Sequence, residues 1–381
     1  MRLFREIGDF YRFFRKTPDA DRKIVFYAEH EGYYPNFEGI ITELQNRHRE
    51  KICYITSDSN DPILKKSNSM IIPFYIKVLL PFFISIVRCK VLIMTLPDLN
   101  QLHLRRSINP VHYVYVFHSL VSTHMMYYRG AFDYYDSILC CSPYHTEEIR
   151  KHEEINKLPG KNLIQAGYYR LERIYEKYKR YLEDAPSDTA KATVLIAPSW
   201  GVKNILESCG AQLVDLLLRN EYNVIVRPHP ETVKRSRQLI NKLSKKFGNN
   251  PGFTLERSVS TDTSLLKADI LICDCSGVAI EYAFGTERPV LFLDVPYKIR
   301  NKNYKELNIE PFELSVRAKV GVVIAPEKLD IVPQTIKELI INKQEYKNII
   351  VELREKSVYA FGHSTEIGAR HIVDLCEERS E

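Results

Sequence analysis

The sequence predicts an α/β protein made of two consecutive Rossmann-like halves that face one another across a cleft. Three observations predict it. Strand-like apolar runs alternate with helical patterns, as in 23–30 (KIVFYAEH), a helix from about 36 to 47, and 51–58 (KICYITSD); such a βαβ opening specifies a parallel sheet. The alternation restarts at 192, after a polar stretch that ends in Pro186 and Ser187. A length of 381 residues exceeds one ordinary core and suits two α/β domains. The predicted division is an N-terminal amphipathic helix over 1–22, a first domain over 23–186 and a second over 187–381.

Residues 2–16 come first. Leu3, Phe4, Ile7, Phe10, Tyr11 and Phe14 recur at helical spacing, opposite Arg2, Arg5, Arg12, Arg15 and Lys16 with Asp9. Two readings stand: a helix lying in a membrane interface, or a first helix packed on the protein's own body. The strands 23–30 and 51–58 follow. The most apolar run is 71–87, IIPFYIKVLLPFFISIV. Lys77 within it, Pro73 and Pro81, and the strand 90–95 directly after it argue against a membrane span. A helix packed on the sheet is expected there, and a helix dipping into lipid through Phe82, Phe83 and Ile86 is the alternative. Strands over 112–119, 137–143 and 162–168, with a helix over 143–154, complete the first half. In the second half, strand 192–200 leads to a helix over 204–219, and strand 223–230 to a helix over 232–246. Strand 269–276 then runs into a helix over 278–284, followed by strand 289–294. No internal repeat stands out.

Composition narrows the function classes. With 45% hydrophobic and 27% charged residues the chain is globular. A net charge of +6 fits phosphates or an anionic membrane surface, and is too small for packaging nucleic acid. The 24 Tyr and 17 Phe fall mostly within strand and helix patterns, so they read as core. Eight cysteines lack CxxC spacing and several sit inside apolar strands; reduced, buried thiols explain them. The N-terminus has no signal-peptide pattern.

The chemistry-bearing residues lie at strand ends, where open α/β sheets place ligands. Arg227-Pro228-His229-Pro230 leaves a strand with its imidazole held between two fixed φ angles. Arg227 and His229 there suit negative charge on a departing phosphate. Asp274-Cys275-Ser276-Gly277 leaves another strand and opens a helix, so Ser276 is a natural N-cap, Gly277 permits close approach of a ligand, and the helix start offers an anion site. Glu281, one turn on, suits ribose or polyol hydroxyls. Capping alone also accounts for Ser276. His118 ends a first-half strand as a candidate general base, with His124 as its rival. Near the end, Gly362 is followed by Ser364 or Thr365 as a helix cap that either touches ligand or only caps.

Taken in order, these motifs resemble the CDP-glycerol glycerophosphotransferase family of teichoic acid and capsule synthesis. A WHG-type histidine reads Val116-Phe117-His118-Ser119, and a GxPRxD-type segment reads Gly167-Tyr168-Tyr169-Arg170-Leu171-Glu172. An APTW-type strand end reads Ala197-Pro198-Ser199-Trp200, RPHP is intact, and a Ser-Ser-x-x-x-Asp helix start reads Ser276-Gly277-Val278-Ala279-Ile280-Glu281. The resemblance covers roughly residues 110–375 and implies a GT-B fold, with an acceptor-binding first domain and a nucleotide-donor second domain. It implies His118 as the base and His229 as its partner at the reacting centre. Arg227, Ser276, Gly277, Glu281, Ser199 and Ser364 would bind a CDP-linked polyol or nucleotide-sugar donor, with no metal or other cofactor. It also implies a glycan or lipid-linked acceptor at the cytoplasmic membrane face, which would give the N-terminal helix a purpose. Ser119, Tyr169, Glu172, Glu281 and Gly201 depart from the pattern, so the donor head group stays open. Glycosyl transfer from a nucleotide sugar and a non-catalytic membrane-bound role remain alternatives.

Overall fold

In a computed structural model of the chain, residues 2–65, 69–101, 103–184, 191–257 and 261–378 are described. They form two compact units, one of residues 1–118, 127–170 and 358–381, the other of 119–126 and 171–357. The predicted break at 186/187 lies outside the described residues.

The first unit is built on a seven-stranded parallel sheet of order β3-β2-β1-β4-β5-β6-β7. Its strands are β1 Ile24–Ala28, β2 Ile52–Thr56, β3 Ile71–Tyr75, β4 Val91–Met94, β5 His112–Val116, β6 Ser137–Cys140 and β7 Asn162–Gln165. β1, β2 and β4 are buried at every position, because helices cover both faces of a parallel sheet and leave no side for polar residues. The helix Tyr34–Asn46 sits on this sheet through Phe37, Ile40 and Leu44. The helix Ser364–Glu378 joins the same core through Ala369, Ile372 and Leu375. Gly39 is needed between them: a Cβ there would lie 2.3 Å from Thr365 Cγ2 and 2.5 Å from the Tyr169 ring.

Two expectations for this unit are corrected. The run 71–87 is not one helix but the edge strand β3, a turn, and the short helix Leu80–Ile86. Pro73 is tolerated because an edge strand has one unpaired side, and Pro81 sits in the first turn of its helix, where its missing N–H costs nothing. Of the three residues proposed to enter lipid, only Phe82 is exposed; Phe83 is fully buried. The second correction concerns the N-terminal helix Arg2–Tyr11, which widens into a π turn over Arg12–Lys16. Its inner face packs on the unit's own body, the second of the two expectations. Glu6, buried to 1%, accepts from the backbone N–H of Lys77 and Leu79 (both 2.7 Å), and Asp9 accepts from Tyr75 N (3.0 Å). Phe13, fully buried and outside the predicted stripe, packs on Phe74 and Phe83. Leu3, Phe4, Ile7 and Tyr11 remain on the outer, exposed face.

The second unit carries a six-stranded parallel sheet of order β10-β9-β8-β11-β12-β13. Its strands are β8 Thr193–Ile196, β9 Asn223–Val226, β10 Phe253–Leu255, β11 Ile270–Cys273, β12 Val290–Leu293 and β13 Gly321–Ile324. β10 and β13 were not expected. A three-residue strand leaves too short a pattern to read, and β13 is fixed by close approach: a Cβ on Gly321 would lie 1.7 Å from the Val290 carbonyl oxygen on β12. The expected helices 204–219 and 232–246 each divide, at Cys209 and Ser236, where the backbone leaves helical angles. The polar stretch from Tyr169 to Asp184 is one long helix that buries Leu171, Ile174 and Tyr178. All eight cysteines are free thiols and seven are buried.

Candidate active site

In both sheets the strand order reverses beside the first strand, between β1 and β4 and between β8 and β11. Such switch points open crevices at the carboxyl ends of the strands. In the second unit the neighbours β9, β8 and β11 run parallel in register, with Ile196 opposite both Val226 and Ile272. Their carboxyl ends therefore deliver RPHP, APSW and DCSG to one edge.

At that edge Asp274, 3% exposed, accepts from Ser199 N (2.9 Å) and from Ser199 Oγ (2.8 Å). Burial pushes the Asp274 carboxyl above its ordinary range, against the pull of these two Ser199 bonds. The pair fastens β8 to β11 across the switch point, so the Ser199 hydroxyl is used in shaping the edge. His229 has φ −58° and ψ 144° and starts the helix Pro230–Arg235. Its Nδ1 accepts from Glu231 N at 3.1 Å, which assigns the ring proton of the neutral imidazole to Nε2. The two flanking prolines thus set the direction of a single donor. Arg227 is 4% exposed and donates to Thr261 O (2.8 Å) and Ser264 Oγ (3.2 Å), bracing the turn beyond β10.

Ser276 holds the N-cap position of the helix Gly277–Thr286, but its hydroxyl makes no capping bond. Gly277 is demanded by its neighbour: a Cβ would stand 1.9 Å from Ser119 Oγ, within the same unit. The close approach seen at the Cβ position is that of Ser119. Glu281 is 4% exposed within that buried helix.

In the first unit His118 follows β5 and is half-buried, with its ring edge-on to Tyr33 at 5.3 Å and to Tyr127 at 6.2 Å. Phe117 beneath it is stacked at 3.9 Å on the His145 ring, which fixes the strand exit. The rival His124 is buried, and its Nε2 lies 3.1 Å from the Ile309 carbonyl oxygen, so it reads as a structural histidine. Ser364 is 3% exposed and lines a small cavity of about 20 Å³ at the carboxyl ends of the first sheet, with Asn36, Phe117, Gly167 and Tyr169. His118 and Ser364 thus belong to the first unit, and Arg227, His229, Ser199, Ser276, Gly277 and Glu281 to the second.

Sequence reading assigned no role to two residues at the second sheet's edge. One is Asp274, whose value lies in its bonds to Ser199. The other is Lys298, beyond β12, whose Nζ lies 3.3 Å from the centre of the Trp200 ring. No local motif marks Lys298; only the fold brings it to Trp200. Among the described residues, no group of three or more His, Cys, Asp or Glu is placed to hold a metal ion, and no helix is long and apolar enough to cross a membrane.

A family model described as CDP-glycerol:poly(glycerophosphate) glycerophosphotransferase matches residues 9–306. Among solved structures, the wall teichoic acid polymerase TagF, soaked with CDPG, is similar with a TM-score of 0.64 at 17% identity, over 100% of this chain and 95% of that one. The UDP complex of MnaA from S. aureus follows with a TM-score of 0.58 at 12% identity, over 94% and 98%. A UDP-N-acetylglucosamine 2-epimerase of Listeria monocytogenes gives 0.57 at 10% identity, over 95% and 97%. These likenesses establish the fold as α/β of the GT-B kind. No curated protein sequence matches significantly.

Proposed function

The chain belongs to the CDP-glycerol:poly(glycerophosphate) glycerophosphotransferase family and is a transferase of glycerol phosphate from CDP-glycerol; from that premise we propose that His118 and His229 serve the reacting centre and that the acceptor is a hydroxyl of a membrane-linked or capsular glycan. His118 takes the proton of the acceptor hydroxyl, whose oxygen attacks the β-phosphorus. The bond from that phosphorus to the bridging oxygen breaks, and its electron pair leaves with CMP. His229, with its proton on Nε2, donates to the departing phosphate. The backbone at Ser276 and Gly277, where the helix dipole is positive, receives the pyrophosphate. Arg227, two residues before His229, adds a buried positive charge that Glu256 shares at 3.9 Å, and Ser199 and Glu281 shape the donor side. Ser364 would contribute from the first unit.

The observation that carries this reading is the convergence of RPHP, APSW and DCSG on adjacent parallel strand ends at the switch point of the second sheet. We also assign the protein to the inner face of the cell membrane as a peripheral protein. The exposed Leu3, Phe4, Ile7, Tyr11 and Phe82, with Arg5, Arg15 and Lys16 exposed nearby, support that placement.

The test is release of CMP from labelled CDP-glycerol in the presence of a glycerol-phosphate primer. His118→Ala and His229→Ala are each expected to lower kcat/KM about 100-fold or more in protein that remains folded, with His229→Ala unfolding slightly earlier for want of the Glu231 capping bond. Undiminished CMP release in both variants removes the assignment of the two imidazoles. Turnover of a nucleotide sugar, with CDP-glycerol inert, would instead identify a glycosyltransferase.

A further inference from the structure

Trp200, the chain's one tryptophan, follows β8 at the edge just described. Three cations meet its ring. Lys298 Nζ lies 3.3 Å from the ring centre, the Arg235 guanidinium 4.9 Å and that of Arg300 5.9 Å. The His229 ring is 6.1 Å away, tilted by 38°. Arg235 is balanced by Glu231, with Nε to Oε2 at 2.6 Å. Lys298 is paired with no carboxylate among the described residues. Burial first, and Arg300 next, hold its pKa down at about 7.

A fold gains nothing from crowding partly desolvated like charges on one aromatic face. An aromatic ring steadies one cation; Glu231 balances Arg235, and Lys298 can meet the remaining repulsion either by shedding its proton or by taking an anion. We propose that Trp200, Lys298 and Arg300 form a second phosphate subsite in the second unit, beside the strand end that carries His229, for a phosphate or phosphodiester group of a substrate. The inference rests on the glycerophosphate-transfer reading for its choice of substrates. Two sources share that chemistry, the pyrophosphate of the donor and a phosphodiester of the acceptor chain. Lys298 and Arg300 arrive together on the loop after β12, so the subsite is separate in sequence from the helix start at Ser276.

Because Trp200 is the only tryptophan, its fluorescence reports occupancy without turnover. The wild-type protein would be titrated with CDP-glycerol and, separately, with a short glycerol-phosphate oligomer, and the same titrations repeated on Lys298→Met and Lys298→Arg. A saturable change is expected in the wild type, with affinity weakened roughly tenfold in Lys298→Met and largely kept in Lys298→Arg. Weakening for CDP-glycerol alone assigns the subsite to the donor, and weakening for the oligomer alone assigns it to the acceptor. Titrations of Lys298→Met that match the wild type for both ligands overturn the proposal, as does a wild-type signal that neither ligand moves. Failure of the parent reading looks different: no CMP is released, while the oligomer still perturbs Trp200 through Lys298.

Discussion

At the scale of single residues, the second unit's switch point is set by a few short contacts. A methyl group on Gly277 would collide with the Ser119 hydroxyl and press on Val121 Cγ1 at 3.2 Å. Gly277→Ala is therefore expected to cost about 1–3 kcal/mol, as overpacking does. Adding Ser119→Ala should recover part of that loss, since the hydroxyl is the nearest atom struck. Thermal unfolding of the single and double variants checks both. The same contacts show which site residues the sequence disclosed. His118, His229 and Ser276 stand next to strand endings, prolines or glycines, whose backbone constraints are local and readable. Asp274 and Lys298 act through partners 75 and 98 residues away (274 − 199 and 298 − 200), and no spacing rule announces such meetings. The lack of a side chain at Gly277 makes room for a serine of the chain, a demand that no pattern around 277 discloses.

At the scale of elements, the N-terminal helix is joined to β3 by backbone chemistry as well as by aromatic packing. Glu6 and Asp9 accept from Lys77, Leu79 and Tyr75 at and beyond the end of an edge strand, groups that would otherwise face solvent or another chain. Removing residues 2–16 would therefore disturb the sheet edge as well as any lipid contact. Phe4→Glu with Ile7→Glu is the sharper variant, because Phe4 is 81% and Ile7 50% exposed. It is expected to reduce co-sedimentation with anionic vesicles several-fold and leave thermal unfolding unchanged; unreduced co-sedimentation would remove the membrane assignment. The elements themselves were mostly legible, since buried parallel strands spell continuous apolar runs. Boundaries and breaks were not. The strand and helix within 71–87 share one apolar run, and the apolar pattern runs on through the splits at Cys209 and Ser236.

For the molecule as a whole, the division into two sheets and the parallel order within each followed from the alternation of patterns. The membership of the closing helix did not, because nothing in Ser364–Glu378 itself says which sheet it covers. That helix gives the first unit a pH dependence. His371 lies against His112 at 6.4 Å, with Asp374 on its own helix, and burial holds its pKa down at about 4. His112 in turn shares a 2.7 Å hydrogen bond with Ser137. A histidine that resists protonation when folded favours the folded state above its ordinary pKa and disfavours it below. Stability is thus present above about pH 6.5 and is lost as pH falls toward about 4. Between pH 7 and pH 5 the loss from this group is about 2 kcal/mol. Unfolding in denaturant at the two pH values should show it, and His371→Gln should flatten the difference; an equal slope in the variant would exclude His371 as the cause.

The first unit's discontinuity also sets an order of events during synthesis. Its core needs Ala369, Ile372 and Leu375 against the helix Tyr34–Asn46, yet every residue of 171–357 is translated before them. On the ribosome the second unit can close around its own sheet while the first still lacks a wall. Ile40, which meets Gly368, and Gly39, which meets Thr365, are then the surface a nascent-chain chaperone would find uncovered for longest.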